Sequence, residues 1–542
     1  MKRYILVLIF VIGILVRFIG LGTIPPGLTD DEADKGYDAY SLLKTGKDQW
    51  GAPWPIFAFK GFGDYRTPLY TYLTIPTVKL FGLTPFAVRF PSALFGSLTI
   101  LLTYFLVKEL FQKSLIVNHL SLITSFLLAL SPWHIGMSRM AMEVTVSVFL
   151  VVFGIYLLSL EKKIILFSAI VFGLSVYAYP AQIVFVPLIV AIYIFLFKLR
   201  IQIFPIIVFF CIALPVVFVG NTASRVRTQQ VNLTNDKGII DLLNEKRGAC
   251  TERLPGVICR IALNKYYVYG KKFIENYITH FSPNLLAISG SHTQLSALPE
   301  RGLLYLVELP FLLLGIYVAF RTKNKAGIFI TLFLLASAIP DSATSYGHYG
   351  RFFISLPAWQ ILTSIGILQI PRLFLPFVTV LYFVEICNFG LEYTTYFPYR
   401  YSRYSHYGYK ELVSKTEENK LRYDKILVSS SVNDAKQYIF YLFYTKYDPL
   451  SFQQQIEVKK GFDSLGWVRV ERIGSISFVQ DLPKITKDTV INDRELFIGE
   501  PSEFPKNTYI PVQFVVKDKK GDVVFQAVDV QDYVRCMSIV CM

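Results

Sequence analysis

Leu28-Thr29-Asp30-Asp31-Glu32-Ala33-Asp34 places four acidic residues within five positions of a 542-residue chain whose net charge is +15. The stretch follows the first apolar run and a Pro-Pro-Gly loop, where the chain is predicted to leave a membrane. Thr29, with Glu32 three positions later, matches a capping box, so a helix is predicted to begin here. A cap does not need three carboxylates in a row. A base that takes a proton from a hydroxyl needs one rigidly held carboxylate, which the first turn of a capped helix provides.

The composition outside this stretch is that of a membrane protein. The chain is 53% hydrophobic and 17% charged, whereas soluble domains are about 45–50% apolar and about 25% charged. The apolar residues lie in long runs, which predicts a polytopic α-helical membrane protein that interacts with membrane lipids. The positive charge then reflects cytoplasmic loops, anionic headgroups and phosphate-bearing ligands, and no nucleic acid partner is expected. The sequence has no zinc-type spacing, Walker loop or dinucleotide fingerprint.

The apolar runs predict about eleven transmembrane helices. Each is near the length of about 20 residues that crosses the hydrocarbon. With a cytoplasmic N-terminus, five alternate connections all carry Lys or Arg, as the positive-inside rule requires. The loops 22–89, 221–302 and 341–351, and the tail, then lie outside. The runs are Tyr4–Leu21 and, centred on roughly these residues, 90–107, 115–132, 144–160, 164–179, 182–197, 202–219, 303–320, 326–340, 352–369 and 372–390.

Two domains are predicted, a transmembrane module over 1–390 and an extracytoplasmic mixed α/β domain over 391–542. Helices are predicted in the first outer loop over Ala33–Leu43 and, lying at the membrane interface, over Leu69–Leu80. In the tail, an exposed helix is predicted over Lys410–Tyr423. Strands are predicted over Lys425–Ser429, Trp467–Ile473, Ser475–Val479, and a hairpin pair Val512–Val516 and Val523–Val528.

Cysteines fall into two local pairs in the outer regions. Cys250 and Cys259 share the loop 221–302, and Cys536 and Cys541 share the tail. Both pairs are candidate disulfides on an oxidising side of the membrane, although spacing alone does not establish pairing.

Cationic residues in the outer regions are candidates for binding a phosphate. Arg66 lies just before Pro68, which can start a helix, and guanidinium binds phosphate in a bidentate fork. Arg351 and His348 flank Gly350 where a predicted span opens, so backbone amides can add to an anion site. The alternatives are ordinary headgroup contacts for Arg66 and loop solvation for the other two.

Three further candidates lie at the outer ends of spans: Arg89, His134 and Arg139. A lone arginine there usually snorkels, with its apolar stem buried and its guanidinium at the membrane interface. Arg139 can also pair with Glu143 one turn later. One acid cluster and several cations on one face suit an anionic lipid-linked substrate. A transport path would need more ionisable residues within the spans.

Short motifs in these regions follow the order found in one enzyme superfamily: Asp31-Glu32-Ala33, Arg66-Thr67-Pro68-Leu69-Tyr70, Phe81-Gly82, Arg89-Phe90-Pro91-Ser92-Ala93-Leu94, Leu130-Ser131-Pro132-Trp133-His134, Gly350-Arg351-Phe352 and Leu356-Pro357. The chain therefore resembles the polyprenyl-phosphate-sugar-dependent glycosyltransferases of the C-type superfamily. The nearest branch is the protein O-mannosyltransferase and lipid A aminoarabinose transferase group, glycosyltransferase family 39-like. The resemblance covers most of 1–370 and does not extend to the tail.

The resemblance implies the C-type fold and inverting sugar transfer from a polyprenyl-phosphate donor to a hydroxyl, on the extracytoplasmic side of what is expected to be the plasma membrane. It implies Asp31 as the base, Glu32 as its orienting neighbour and Arg66 in place of a family lysine that contacts the lipid phosphate. Arg351, with His348, is a further candidate for that anion. Asp34 departs from the aminoarabinose branch, where this position is basic.

Several points stay open at the level of sequence. The acceptor is a protein, a glycan or a lipid. A lipid-linked glycan flippase and a non-catalytic membrane scaffold are the alternative functions. No cofactor is assigned, because the Asp30–Asp34 cluster could attract a divalent ion but no second cluster with ligand spacing completes a metal site.

Overall fold

The structure is a computed structural model that describes residues 2–62, 65–160, 164–199, 202–218, 232–290, 300–344, 349–429, 436–455, 458–462, 468–486, 493–504 and 511–538. Contacts between Cα atoms divide the chain into two compact units. The first unit comprises residues 1–19 and 92–389, and the second comprises 20–91 and 390–542. The second unit therefore joins the first outer loop to the tail, two regions that the sequence assigned to separate domains.

The first unit is built of helices. Its apolar runs form helices because uninterrupted Leu, Ile, Val and Phe residues leave the backbone no partner in lipid except itself. Its helices are Lys2–Phe18, Pro85–Leu110 (from Ser92), Val117–Ala129, Pro132–Ser138, Glu143–Ser159, Ile165–Ala178, Gln182–Phe197, Ile203–Phe218, Lys237–Thr251, Gly256–Ala262, Lys265–Thr279, Glu308–Arg321, Lys325–Ser337, Ile339–Ser342, Tyr349–Phe352, Ala358–Ile367 and Leu375–Leu391.

Every predicted apolar run contains a helix, so the polytopic helical architecture is confirmed. Among the described residues, three helical segments are long and apolar enough to cross a membrane, namely Pro85–Leu110, Lys325–Ser342 and Arg372–Arg400. The pair Val117–Ala129 and Pro132–Ser138, bent by 56°, makes a fourth if it forms one span. The count of about eleven spans stays a prediction, because most of the remaining apolar helices have 10–17 residues.

The second unit contains all of the β strands that the structure describes. A two-stranded ribbon pairs β1 (Phe59–Lys60) with β2 (Tyr65–Arg66). A seven-stranded sheet has the order β4-β5-β6-β3-β7-β9-β8. Its strands are β3 (Lys425–Ser429), β4 (Val458–Phe462), β5 (Val468–Ile473), β6 (Ile476–Val479), β7 (Glu495–Gly499), β8 (Val512–Lys517) and β9 (Val523–Asp529).

The helices of the second unit lie partly in the first outer loop and partly in the tail. They are Asp30–Thr45, Leu69–Phe81, the first residues of Pro85–Leu110, Phe397–Arg400, Tyr409–Asn419, Gln437–Thr445, Pro449–Gln453 and Val530–Ser538. The helices predicted over Ala33–Leu43 and Leu69–Leu80 are therefore confirmed, each slightly longer than expected. The helix predicted over Lys410–Tyr423 ends early at Asn419, and one side of it is buried rather than exposed.

The centre of the large sheet is parallel. Strand β3 runs parallel to β6 on one side and to β7 on the other, and the remaining neighbours are antiparallel. The predicted β8–β9 hairpin is confirmed, as are the strands β3, β5 and β6, although Trp467 lies outside the described residues. Strands β4 and β7 were not predicted, and β7 completes the parallel centre of the sheet.

One disulfide joins Cys250 to Cys259 in the first unit, with their Cα atoms 5.8 Å apart. The helices Lys237–Thr251 and Gly256–Ala262 carry these two residues, so the bond ties the end of one helix to the next. Cys541 lies outside the described residues, and its pairing with Cys536 stays a prediction.

Candidate active site

The capping box predicted at the acidic stretch is confirmed. Thr29 Oγ1 accepts a hydrogen bond of 3.2 Å from the backbone N–H of Glu32, and the backbone N–H of Thr29 donates one of 3.1 Å to Glu32 Oε2. The helix Asp30–Thr45, called the capped helix below, ends at Gly46, whose φ of 70° is in the left-handed region that glycine tolerates. Its first turn therefore has a fixed start.

Glu32 also forms a buried ion pair with Arg89. Its two carboxylate oxygens lie 2.8 Å from Arg89 Nε and 3.0 Å from Arg89 Nη2, and each side chain is only 1% exposed. The same guanidinium donates to the backbone carbonyls of Leu21, Pro25 and Gly27 at 2.6–3.2 Å. Arg89 thus fixes the loop that leads into the capped helix. Glu32 is held in place both by Arg89 and by the capping box.

Arg66 is buried against two carboxylates of the capped helix. Its Nη2 forms ion pairs with Asp34 and, at 2.8 Å, with Asp38. Gln49 completes the group, because its side chain donates to Asp34 and its backbone N–H donates to Asp38 at 3.1 Å. Burial and the neighbouring Asp34 raise the pKa of Asp38 well above its usual value, against the lowering effect of Arg66.

The remaining acidic residues of the stretch differ in exposure. Asp30 forms a 2.8 Å ion pair with Lys436 of the tail. Asp31 has an exposed side chain in the first turn of the capped helix. Tyr438, two residues after Lys436, is buried near the acidic group, and burial together with Asp34 and Asp38 raises its pKa well above the usual value. Of the four acidic residues, Asp31 is the one that is exposed.

Arg351 lies in a separate group within the first unit. Its Nη1 donates to Asp341 at 3.1 Å and to Thr344 Oγ1 at 3.0 Å. The buried Asp341 carboxylate also lies 2.8 Å from Nε2 of His280. His348, predicted to accompany Arg351, lies outside the described residues.

His134 and Arg139 are buried among helices of the first unit. Nδ1 of His134 lies 2.6 Å from Nη2 of Arg17, which also donates to the Leu128 carbonyl. Arg139 donates through Nη1 to the carbonyl of Val16 at 2.6 Å. Both side chains therefore tie neighbouring helices to the Lys2–Phe18 helix.

Several partners in these groups were not predicted as site residues. Asp34 and Asp38 are four positions apart on one helix, a spacing that puts both side chains on the same face and was visible in the sequence. Gln49, Tyr438 and His280 carry no comparable local signal. Among the described residues, no group of three or more His, Cys, Asp or Glu side chains is arranged to hold a metal ion.

The architecture is similar to that of solved structures, although the sequence matches no known family. No protein-family model matches the chain, and no curated protein matches it in sequence. The fold is similar to that of solved membrane proteins that combine a helical part with a sheet-containing C-terminal domain, so the predicted resemblance is confirmed at the level of the fold.

The similar solved structures include ArnT, an aminoarabinose transferase, from Cupriavidus metallidurans. Bound to undecaprenyl phosphate, it aligns with a TM-score of 0.57 at 12% identity, over 96% of this chain and 97% of that one. In its apo state it gives a TM-score of 0.54 at 11% identity, with the same coverage. An oligosaccharyltransferase from Archaeoglobus fulgidus aligns over 82% of this chain and 64% of its own at 13% identity, with a TM-score of 0.47.

Proposed function

We propose that this protein is an integral membrane glycosyltransferase. It moves a sugar from a polyprenyl-phosphate donor to a hydroxyl of a protein, glycan or lipid acceptor, with inversion at the anomeric carbon. The reaction takes place on the extracytoplasmic side of the plasma membrane, the side on which the loop charges put the first outer loop and the tail. The fold shared with ArnT, which binds undecaprenyl phosphate, supports this class of donor.

The observation that carries the proposal is the exposure of Asp31 in the first turn of the capped helix, where the neighbouring acidic residues are half-buried or buried. Asp30 pairs with Lys436, Glu32 with Arg89, and Asp34 with Arg66. Asp31 is exposed on a turn whose backbone is fixed by the capping box. A general base must be both accessible to the acceptor and held in position, and Asp31 meets both conditions.

In the proposed reaction, the acceptor oxygen attacks the anomeric carbon and Asp31 takes the proton of the acceptor hydroxyl. The bond between the anomeric carbon and the phosphate oxygen breaks, and its electron pair leaves with the lipid phosphate. This leaving group needs stabilisation of negative charge rather than a strong acid. Arg66, which is paired with Asp38, is the proposed cation for it, and Arg351 with His348 is the alternative candidate, in which Asp341 orients the arginine.

The decisive experiment replaces Asp31 by asparagine. Purified protein is incubated with polyprenyl-phosphate sugars and an acceptor, and released lipid phosphate is measured. Asp31→Asn is expected to lower transfer by a factor of about 100 or more, the usual contribution of a general base, while membrane insertion is unchanged. Asp30→Asn, which alters the adjacent carboxylate, should retain transfer. Wild-type activity in Asp31→Asn would exclude this mechanism.

A further inference from the structure

The sheet of the second unit has a cavity at the carboxyl ends of its parallel strands. The cavity has a volume of about 390 Å³. Leu482 and Ile485 follow β6, and Glu503 and Phe504 follow β7, and all four line it. Ser429, the last residue of β3, donates a hydrogen bond to Glu503. The cavity therefore lies where the ends of all three parallel strands meet.

The order of the strands makes this position a switch point in the topology. The chain places β6 on one side of β3 and then crosses to place β7 on the other side. In open sheets with parallel strands, ligands bind outside the carboxyl ends at such a point, where the loops diverge and leave a crevice. Cavities of about 300–1,000 Å³ are typical of small-molecule sites.

The wall of the cavity is mostly apolar in area, and Lys484, Thr486, Ser502, Glu503 and Tyr533 contribute polar groups to it. Phe497 and Phe504 supply aromatic surface, and both are buried. Glu503 supplies a half-buried carboxylate whose oxygens accept from Ser429 and from the backbone N–H of Glu500 at 2.8 Å. A carboxylate oxygen has two lone pairs, so each of these oxygens can accept another hydrogen bond.

Tyr533 contributes a buried hydroxyl for which the described residues supply no hydrogen-bond partner. Its side chain is fully buried and lines the cavity, and within the described ranges its hydroxyl has no hydrogen-bond partner in the protein. A buried hydroxyl without a partner costs free energy, so such groups in native proteins usually have a bound partner that the protein itself does not supply.

Gly499 at the end of β7 keeps the carboxylate close to the strand. A Cβ atom at this position would lie 2.5 Å from Glu503 Oε2 and 2.7 Å from Leu482 Cδ1. Both contacts are too short, so any side chain here would push Glu503 and Leu482 from their positions at the wall. The absence of a side chain at Gly499 thus shapes the cavity.

We propose that this cavity is a second ligand site of the protein, which binds a carbohydrate of one or two sugar units independently of the transfer reaction. A carboxylate acceptor and a tyrosine hydroxyl suit the hydroxyls of a sugar, and aromatic side chains suit its C–H faces. Lys484 is the one cation among the described residues of the lining, which does not suit a phosphate-rich ligand.

The test measures binding of free methyl glycosides to the full-length protein in detergent by saturation-transfer NMR. The panel contains neutral hexosides, N-acetylhexosaminides and hexuronides. Tyr533→Phe is expected to weaken binding by about three- to tenfold, the effect of one lost hydrogen bond, without lowering the melting temperature. Gly499→Ala should abolish binding, because it displaces two wall residues.

Two controls separate this site from general damage and from the active site. Tyr441 is bonded through its hydroxyl to Glu417, outside the cavity, so Tyr441→Phe should lower the melting temperature and keep glycoside binding. Asp31→Asn should lose transfer and keep binding, which makes failure of the site distinguishable from failure of the proposed reaction. If no glycoside binds, or if Tyr533→Phe and Gly499→Ala both bind like wild type, the proposal is wrong.

Discussion

Arg89 and Glu32 are 57 positions apart in the sequence and form a two-point ion pair in which both side chains are almost fully buried. The pair joins the start of the Pro85–Leu110 helix to the first turn of the capped helix. Burying two charges is costly, and only good geometry with additional hydrogen bonds compensates for it. Arg89 meets this condition through three backbone carbonyls. The rigidity around Asp31 therefore depends on this contact.

Arg89→Met is expected to destabilise the protein by about 3–5 kcal/mol, because it leaves the Glu32 carboxylate buried without its cation. The double variant Arg89→Met with Glu32→Gln should recover much of the loss, since both charges are removed together. Thermal unfolding in detergent measures both effects. Lys271→Ala at the exposed Lys271–Glu275 pair is the control and should change stability by about 0.5 kcal/mol or less. A stable Arg89→Met single variant would contradict the prediction.

Arg66 needs a test that separates donor binding from its ion pairs. Arg66→Met alone should lower the melting temperature strongly, because Asp34 and Asp38 lose their cation. Adding Asp34→Asn and Asp38→Asn removes the uncompensated charges and should restore a folded protein. The triple variant is nevertheless expected to stay inactive if Arg66 binds the lipid phosphate. Wild-type transfer by the folded triple variant would limit Arg66 to a structural role.

The raised pKa of Asp38 predicts how the stability of the protein depends on pH. Its pKa is raised in the folded protein, so the folded state binds the proton more tightly than the unfolded state. The stabilisation of the folded state by this proton is complete when the pH is below the pKa of Asp38 in the unfolded chain, about 3.9. It is lost as the pH rises through the raised pKa of Asp38 in the folded protein. Asp38→Asn should therefore flatten the fall of melting temperature with rising pH in this range.

Asp448 provides a control, because its pKa is shifted in the opposite direction to that of Asp38. Hydrogen bonds from Ser451 lower its pKa, so its contribution is present above the unfolded pKa and is lost as the pH falls. Asp448→Asn should alter only the acidic limb of the curve. Identical pH profiles for wild type and Asp38→Asn would contradict the role assigned to Asp38.

Features with local signals were predictable from the sequence. The apolar runs became helices because length and composition alone decide whether a segment can be buried in lipid. Thr29 and Glu32 formed the expected capping box because both partners lie within one turn. The β8–β9 hairpin formed because its strands are joined by a short turn.

Features that depend on distant partners were not predictable. Strand β7 is only five residues long, and it is placed beside β3, 70 positions earlier. Arg89 gave only the signal of an arginine at the end of a span, and nothing local indicated Glu32 as its partner. The tail contributes Lys436 to Asp30 across 406 positions, so the sequence could not show that the tail and the first outer loop form one unit.

Replacing Asp341 tests whether Arg351 binds the donor phosphate, because it changes the partner of Arg351 and leaves the arginine itself in place. The buried carboxylate accepts from Arg351 Nη1 and lies 2.8 Å from Nε2 of His280. In Asp341→Asn the amide keeps the volume but loses the charge and one acceptor oxygen, so Arg351 is held less firmly. If Arg351 binds the donor phosphate, KM for the donor should rise about tenfold or more, since a small displacement of a positioning contact has a large effect.

The size of this effect is compared with that of Arg351→Lys, which retains the charge but not the planar fork. Both variants should raise KM for the lipid donor, because the contact is made in the bound donor, and should lower kcat as well, because the charge on the leaving phosphate grows in the transition state. Arg321→Gln, at an exposed arginine that contacts Tyr317, should leave both constants unchanged. If Asp341→Asn lowers the melting temperature while KM stays at the wild-type value, the Asp341–Arg351 contact serves packing of the first unit and not the donor.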